Sequence, residues 1–352
     1  METDQIIKLT QYSHGAGCGC KISPQVLDQI LQTDILAPES KNLLVGNHSK
    51  DDAAVYDLGD GTALISTTDF FMPIVDDPYD YGRIASANAI SDVYAMGGKP
   101  LMAIAILGWP VDKLPASVAK RVLEGARATC AEAGIPLAGG HSIDSPEPIF
   151  GLAVNGLVAV KNLKQNNTAR AGDLLLMTKS LGTGVLSTAQ KRNALDPEYY
   201  TAFVNQLVRL NKTGAALGEI EGVHAMTDIT GFGLLGHLIE MTGGSGVSAN
   251  IYVDTLPVLQ GVKEGIANKN IPGGTIRNWN SYGHHVSFNQ TLNEADAKAL
   301  LADPQTNGGL LIAVDPAALE DVQEILCNSG LQQYQNPIGQ IIAAAESLVF
   351  VK

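Results

Sequence analysis

The sequence has few basic residues and no long hydrophobic run, and each shortage excludes a class of protein. Lysine and arginine together number 23 against 36 aspartates and glutamates, which gives a formal net charge of −13. Nucleic-acid binding depends on basic residues that displace phosphate counterions, so no nucleic-acid partner is expected. The most apolar stretch, residues 101–109, is much shorter than the roughly 20 residues of a membrane helix, so no membrane partner is expected. The acidic start does not resemble a signal peptide, and we expect a cytoplasmic protein.

Cysteine is also scarce, and its spacing disfavours structural zinc and disulfide bonds. Of the four cysteines, Cys18 and Cys20 lie close together, whereas Cys130 and Cys327 lie on predicted helices, where we expect both to face the core. Structural zinc normally needs four Cys or His ligands, which this spacing does not supply. A disulfide between Cys18 and Cys20 would close a very small ring in awkward geometry. Both sites are weaker alternatives to a reactive thiol.

The stretch that contains Cys18 and Cys20, residues 12–21, has the features of a reactive loop. Its three glycines let the backbone fold closely over a bound group. The charge of Lys21 favours the thiolate form of a nearby cysteine, and a glycine-rich loop leaves the thiol accessible. We therefore expect a flexible loop with reactive thiol chemistry at Cys18 or Cys20.

Length and composition indicate two globular domains. A chain of 352 residues, 45% of them hydrophobic, is too long for one ordinary core. A polar stretch with few core-forming residues begins at residue 161. We predict a flexible N-terminal loop over residues 1–22, an α/β domain over 23–160, a linker over 161–172 and a second α/β domain over 173–352.

Aspartates recur beside predicted strands and helices, where a side chain can meet a ligand. Asp69 ends a predicted strand over residues 63–68, and Asp92 shares a helical face with Asn88 and small residues. A buried carboxylate without a cation or a donor is costly, which favours a metal ligand over a satisfied core residue at Asp92. A solvated turn is the alternative at the first pair of the set. The set comprises Asp51, Asp52, Asp69, Asp92 and Asp228.

Three glycine-containing segments bear on ligand binding. Residues 139–142 follow a predicted strand and allow the backbone to approach a phosphate closely, with a plain loop as the alternative. Glycines at 231, 233 and 236 match the dinucleotide fingerprint, but Asp228 would repel the bound pyrophosphate, so a dinucleotide oxidoreductase is a distant alternative. Residues 270–282 are predicted to form a loop in which Arg277 meets an anion or caps an element.

Several separated motifs together resemble one family. The motifs are Gly17-Cys18-Gly19-Cys20-Lys21, Asp51-Asp52-Ala53-Ala54-Val55, Thr67-Thr68-Asp69-Phe70-Phe71, Asn88-Ala89-Ile90-Ser91-Asp92, Gly139-Gly140-His141-Ser142, Thr227-Asp228-Ile229-Thr230-Gly231 and Pro272-Gly273-Gly274-Thr275. In this order they are similar to the cysteine-containing selenophosphate synthetases (selenide, water dikinases). That family belongs to a superfamily of ATP-using enzymes similar to aminoimidazole ribonucleotide synthetase. Asn307 departs from the serine that the family is expected to have before the Gly308-Gly309 pair, and this change bears on the packing of the loop.

The resemblance implies the reaction ATP + selenide + water → selenophosphate + AMP + orthophosphate, with Mg²⁺ as the cofactor. It also implies an α/β (α+β) fold of two domains and a homodimer whose N-terminal sheets join, with a selenium-delivery protein as a further partner. Cys18 is the implied catalytic thiol and Lys21 the implied essential amine. The implied ATP contacts are Lys21, Ser49, Lys50, Asp51, Asp69, Asp92, Gly140, His141 and Ser142. The implied magnesium ligands are Asp52, Asp92 and Asp228.

The residues themselves indicate compatible chemistry and leave some alternatives open. Several carboxylates approach a polyphosphate only with divalent cations between them, and Lys21 adds a mobile positive charge. Cys18 would guide selenide, deprotonate it or bond to it transiently. A superfamily relative with another substrate, such as a thiamine phosphate kinase, has no need of the Cys18 loop. A non-catalytic thiol or metal carrier would consume no ATP.

Overall fold

The computed structural model describes residues 7–22, 24–33, 40–47 and 50–352. The strands of these residues form two mixed β-sheets. The first sheet has six strands in the order β1-β2-β3-β6-β4-β5. These strands are β1 Leu43–Val45, β2 Ala54–Asp57, β3 Thr62–Phe71, β4 Lys99–Trp109, β5 Leu137–Asp144 and β6 Ile149–Ala159. Only the β4–β5 pair is parallel, and it leaves β5 at an edge of the sheet.

The second sheet lies in the C-terminal half and has seven strands in the order β10-β13-β9-β12-β7-β11-β8. Its strands are β7 Leu174–Met177, β8 Val223–Asp228, β9 Ser248–Ile251, β10 Val286–Phe288, β11 Leu310–Val314, β12 Gly339–Ile342 and β13 Val349–Val351. The edge strand β8 pairs antiparallel with β11, so the Asp228 end of β8 lies beside Leu310. The two sheets fall on either side of the predicted linker, and the expected two-domain α/β fold is confirmed.

Eleven α-helices connect or cover these strands in the described residues. They are α1 Pro24–Leu31, α2 Pro78–Ala95, α3 Ala116–Ala133, α4 Thr183–Lys191, α5 Pro197–Val208, α6 Thr213–Leu217, α7 Gly233–Ser245, α8 Val262–Ala267, α9 Gly273–Tyr282, α10 Glu294–Leu301 and α11 Leu319–Asn328. None of these helices combines the length and the apolar character that crossing a membrane requires.

Helix α2 joins the two halves of the chain. It begins where the Asp77 side chain accepts the backbone N–H of Asp80, with Pro78 at the first helical position, both of which favour a helix start. Helix α2 packs on α3, β3 and β6 of its own half, and on α5, α6 and β8 of the other. It is therefore buried on nearly all sides, and polar residues along it face neighbouring elements.

Two predicted strand ends are wrong. Asp69 lies within β3 rather than at its end, and residues 139–142 lie within β5 rather than after a strand.

Two further local expectations are wrong. Residues 273–282 form helix α9 rather than a loop, because Asn278 donates to the carbonyl oxygens of Gly231 and Ala302 and so fixes the segment against its neighbours. Cys327 is exposed, whereas Cys130 is buried as expected. Helix α11 turns Val322 and Leu326 to the core, and the next residue is rotated about 100° away from that face.

Candidate active site

A cavity of about 900 Å³ is lined by side chains from both halves of the chain. The aspartates among them are Asp51, Asp52, Asp69, Asp92 and Asp228. Asp69, Asp92 and Asp228 are at most 8% exposed, whereas the other two are half-buried. The structure thus brings together every aspartate that the sequence analysis singled out.

A hydroxyl group from a neighbouring element meets each of three carboxylates in this cavity. Thr67 donates to Asp92, Ser91 donates to Asp228, and the Thr227 Oγ1 donates to the Asp52 Oδ1 over 2.8 Å. The pairs at Asp228 and Asp52 cross between the two halves of the chain. Closing the halves on each other is therefore what assembles the cavity.

Hydrogen bonds only partly offset the cost of keeping these buried carboxylates ionised. Burial, and then the repulsion of neighbouring carboxylates, raises the pKa of Asp52 and Asp92 well above the usual value. Burial also raises the pKa of Asp228 to about 6, against the opposing effect of the Ser91 hydrogen bond. The Asp52 Oδ2 atom is buried and has no hydrogen-bond partner among the described residues. A bound cation would relieve both the repulsion and the unmet acceptor.

These oxygen donors fit Mg²⁺. Magnesium prefers carboxylate and phosphate oxygens, and it usually binds one or two protein carboxylates while retaining water and substrate phosphates. Within the described parts of the chain, no group of three or more His, Cys, Asp or Glu side chains is already arranged to hold a metal ion. The aspartates therefore share a cavity without forming a closed metal cage.

The Cys18 loop lies against this cavity and is held by a chain of hydrogen bonds. The Cys18 backbone N–H donates to the Thr306 Oγ1 over 2.9 Å, and its thiol donates to the Asn88 Oδ1 over 3.3 Å. The Asn88 Nδ2 in turn donates to the Asp69 Oδ2 over 2.6 Å. The Lys21 Nζ lies 3.2 Å from the same Asp69 oxygen. The thiol and the amine are thus linked through one carboxylate.

The expectation of an accessible, acidified thiol is wrong for this conformation. Cys18 is fully buried in a 3₁₀ turn over Gly17–Cys20. Burial, and then the charge of Asp69, raises the pKa of Cys18, and the opposing effect of Lys21 does not overcome them. Desolvation disfavours the charge of Lys21, but the negative charges around it, Asp69 foremost with Asp92 and Asp228 behind it, together more than offset this and raise the pKa of the amine. The thiol is therefore protonated while Lys21 remains charged.

The glycines that match a dinucleotide fingerprint have local structural roles here, and Gly231 makes room for the Cys18 loop. Gly231 leaves no room for a side chain, since an added Cβ would lie 2.9 Å from the Cys18 carbonyl oxygen and from the Lys21 side chain. Gly233 has a φ of +71° at the start of α7, a conformation that glycine adopts without strain. The preceding strand β8 is antiparallel to its neighbour, so the parallel unit of a dinucleotide fold is missing from this part of the chain.

The predicted ATP contacts do not all meet in this cavity. Lys21, Lys50 and three of the aspartates line it. Gly140, His141 and Ser142 lie on the exposed edge strand β5 and do not line it. Ser49 lies outside the described residues.

The chain is similar in sequence to known proteins over nearly its whole length. Two family models match the chain. The model of the AIR synthase related protein, N-terminal domain, matches residues 50–158, and the model of the C-terminal domain matches residues 170–352. The selenide, water dikinase of Cronobacter sakazakii is 58% identical over 330 residues, which cover 94% of each chain. That of Haemophilus influenzae is 54% identical over 349 residues, which cover 99% of each chain. The chain belongs to the selenide, water dikinase family.

Solved structures of less similar proteins show the same fold. The thiamine-monophosphate kinase of Stenotrophomonas maltophilia is 20% identical, with a TM-score of 0.63, and the match covers 89% of this chain and 92% of that one. The hydrogenase maturation protein HypE in complex with ATP is also 20% identical, with a TM-score of 0.64, over 89% and 87% of the two chains. At these identities the similarity concerns the fold alone.

Sequence reasoning missed the residues that hold the loop from the C-terminal half. Besides Thr306, which accepts from Cys18, the Asn307 backbone N–H donates to the Asn88 Oδ1 over 2.7 Å. Asn307 has a φ of +46°, a region that asparagine enters more readily than serine does. The departure from the family's serine therefore suits the local backbone. In the sequence, the one sign of an unusual turn at this point is the Gly308-Gly309 pair.

The burial of Cys18 predicts slow modification of its thiol. With a small alkylating reagent at pH 8, Cys18 should react at least about tenfold more slowly than the exposed Cys327, because its sulfur is both covered and protonated. Peptide mass spectrometry over time gives both rates from one sample, and unfolding in urea should remove the difference. Equal rates in the native protein would contradict the buried conformation of the loop.

Proposed function

We propose that the protein makes selenophosphate by the reaction ATP + selenide + water → selenophosphate + AMP + orthophosphate. The observation that carries this proposal is the link from the Cys18 thiol through Asn88 and Asp69 to the Lys21 amine, placed at a cavity of aspartates. Relatives that are 54–58% identical over nearly the full chain are named selenide, water dikinase. Both the site and the relationship support one activity.

We assign the carboxylate cavity to ATP. Asp52, Asp92 and Asp228 would hold Mg²⁺, which when bound neutralises charge on the phosphates. Lys21 faces the same cavity with its charge intact and is placed to contact a phosphoryl oxygen. The further contacts proposed on this side are Ser49, Lys50, Asp51 and Asp69.

We assign the selenium substrate to the Cys18 side of the site. In the closed conformation the thiol donates a hydrogen bond to Asn88 and is protonated. This supports a role in guiding selenide or exchanging a proton with it more than a resting thiolate nucleophile. The loop has to separate from Thr306 before the sulfur becomes accessible.

We also propose that two chains pair through their first sheets, in the cytoplasm. The sheet face that turns away from α2 exposes large apolar side chains, including Phe70 at 50% and Ile104 at 40%. Patches of this kind mark protein contacts. Gly140, His141 and Ser142 on the adjacent edge strand would then contact ATP held by the partner chain, which explains their distance from this chain's own cavity.

Phosphorus NMR tests the reaction. Wild-type protein with MgATP and selenide should produce a selenophosphate resonance together with equal amounts of AMP and orthophosphate. Cys18→Ser should lose this product, because a hydroxyl is a far weaker acid and nucleophile than a thiol, whereas Cys20→Ser should keep most of it. ATP consumption that proceeds equally well without selenide in the wild-type protein would refute the proposed function.

Sedimentation equilibrium tests the pairing of sheets. The wild-type protein should have twice the chain mass of 37.0 kDa, and Ile104→Asp should shift it to the single-chain mass because the charge would be buried in the contact. Val111→Asp is the matched control, since Val111 is 63% exposed in the turn after β4. A wild-type monomer, or a dimer unaffected by Ile104→Asp, would exclude this interface.

A further inference from the structure

A second cleft lies against the Cys18 loop and has a volume of about 630 Å³. Loop residues form one wall of the cleft, while α4 and the start of α9 form the others. The lining includes Ala16, Gly19, Lys21, Thr188, Arg192 and Arg277. Lys21 also lines the carboxylate cavity, so the loop separates two chambers that share this side chain.

The two arginines of this cleft bring positive charge that the protein does not neutralise locally. The Arg277 Nη2 donates to the Gly19 carbonyl oxygen over 2.7 Å. The Arg192 Nη1 donates to the Lys269 carbonyl oxygen over 2.9 Å and to the Asn270 Oδ1. Neither guanidinium forms an ion pair with a carboxylate of the described residues. Their partners are neutral oxygens, and the charge remains available to an anion.

The remaining ionisable groups at the cleft do not make its net charge negative. Lys191 donates to the carbonyl oxygens of Ser13 and Gly15, which lie on the same loop. Glu147 pairs with His14, its Oε2 lying 2.9 Å from the His14 Nδ1. The Asp303 carboxyl accepts from the backbone N–H of Gly184, and burial raises its pKa to about 8. The cleft is thus basic in a chain whose net charge is −13.

The two chambers differ in the ligand that their charges suit. The cavity on one side of the loop carries five aspartates, and it becomes more crowded with negative charge when a polyphosphate enters. A small anion approaching from that side meets repulsion, whereas the basic cleft attracts it and raises its local concentration. Selenide at neutral pH is chiefly the singly charged hydroselenide anion.

We propose that the basic cleft is the binding and entry site for the small selenium anion, which reaches the Cys18 loop from the side opposite ATP. This inference rests on the proposed function and adds the route of the second substrate. The shared chemistry is that of a small inorganic anion, and orthophosphate leaving the site is the other source of it. The experiment separates these two sources.

The test uses a matched pair of substitutions at Thr188, a half-buried cleft residue on α4. Thr188→Glu adds a negative charge, and Thr188→Gln adds the same bulk without one. Thr188→Glu should raise the KM for selenide roughly three- to tenfold relative to Thr188→Gln, with the KM for MgATP unchanged. The difference should shrink as ionic strength rises, because salt screens the added charge.

Arg277 provides an independent arm. Arg277→Gln should raise the KM for selenide, and Arg277→Lys should recover much of the loss because it keeps the charge. Arg127→Gln, on the exposed face of α3, removes the same charge elsewhere and should have no effect. If Arg277→Lys raises the KM for selenide as much as Arg277→Gln does, Arg277 only holds the Gly19 carbonyl group. That result would overturn its role in anion binding.

Two results would overturn the proposal as a whole. Equal KM values for selenide in Thr188→Glu and Thr188→Gln would exclude the cleft as the entry site. A Thr188→Glu variant that changes only inhibition by orthophosphate would assign the cleft to the product instead.

Bromide binding distinguishes failure of this inference from failure of the proposed function. Anomalous scattering from bromide-soaked crystals should locate an ion in the cleft of Thr188→Gln and not of Thr188→Glu, whatever reaction the protein catalyses. An ion in the cleft of a protein without selenide-dependent turnover would refute the proposed function and the assignment to selenium while leaving an anion site. An empty cleft in an active enzyme would refute the site alone.

Discussion

Carboxylates drawn from both halves of the chain share one cavity, and the cost of their mutual repulsion is the constraint on which the site depends. Three hydroxyl groups offset part of that cost, from Thr67, Ser91 and Thr227. The unmet Asp52 oxygen and the raised pKa values show that the compensation is incomplete. A site of this kind gains most from a ligand that brings divalent cations, which is the reason that we propose a magnesium-bound polyphosphate for it.

The same electrostatics governs the Cys18 loop. Asp69 pairs with Lys21, and burial, followed by the charge of Asp69, keeps the Cys18 thiol protonated. Because thiolates are the form that oxidises, a covered thiol is protected until the loop opens. Lys21 touches both chambers, so binding in one of them changes the charge that the other experiences.

The sequence predicted the parts of the site that depend on local pattern. Strand and helix signals singled out Asp69, Asp92 and Asp228 as candidate ligand-facing residues, and the structure gathers them in one cavity. The burial of Cys18 was beyond such reasoning, because its cover comes from Thr306, 288 residues further along the chain. Helix α9 was missed for a similar reason, since distant carbonyl groups fix a segment whose proline and glycines indicate a loop.

Calorimetric titration of ATP into the protein with and without Mg²⁺ tests the central role of the carboxylates most directly. We expect ATP binding to require Mg²⁺ and to weaken at least about tenfold in Asp228→Asn. Asp254→Asn, at an exposed position, should bind ATP as the wild-type protein does. Equal ATP affinity in the presence and absence of Mg²⁺, unchanged by Asp228→Asn, would contradict the account.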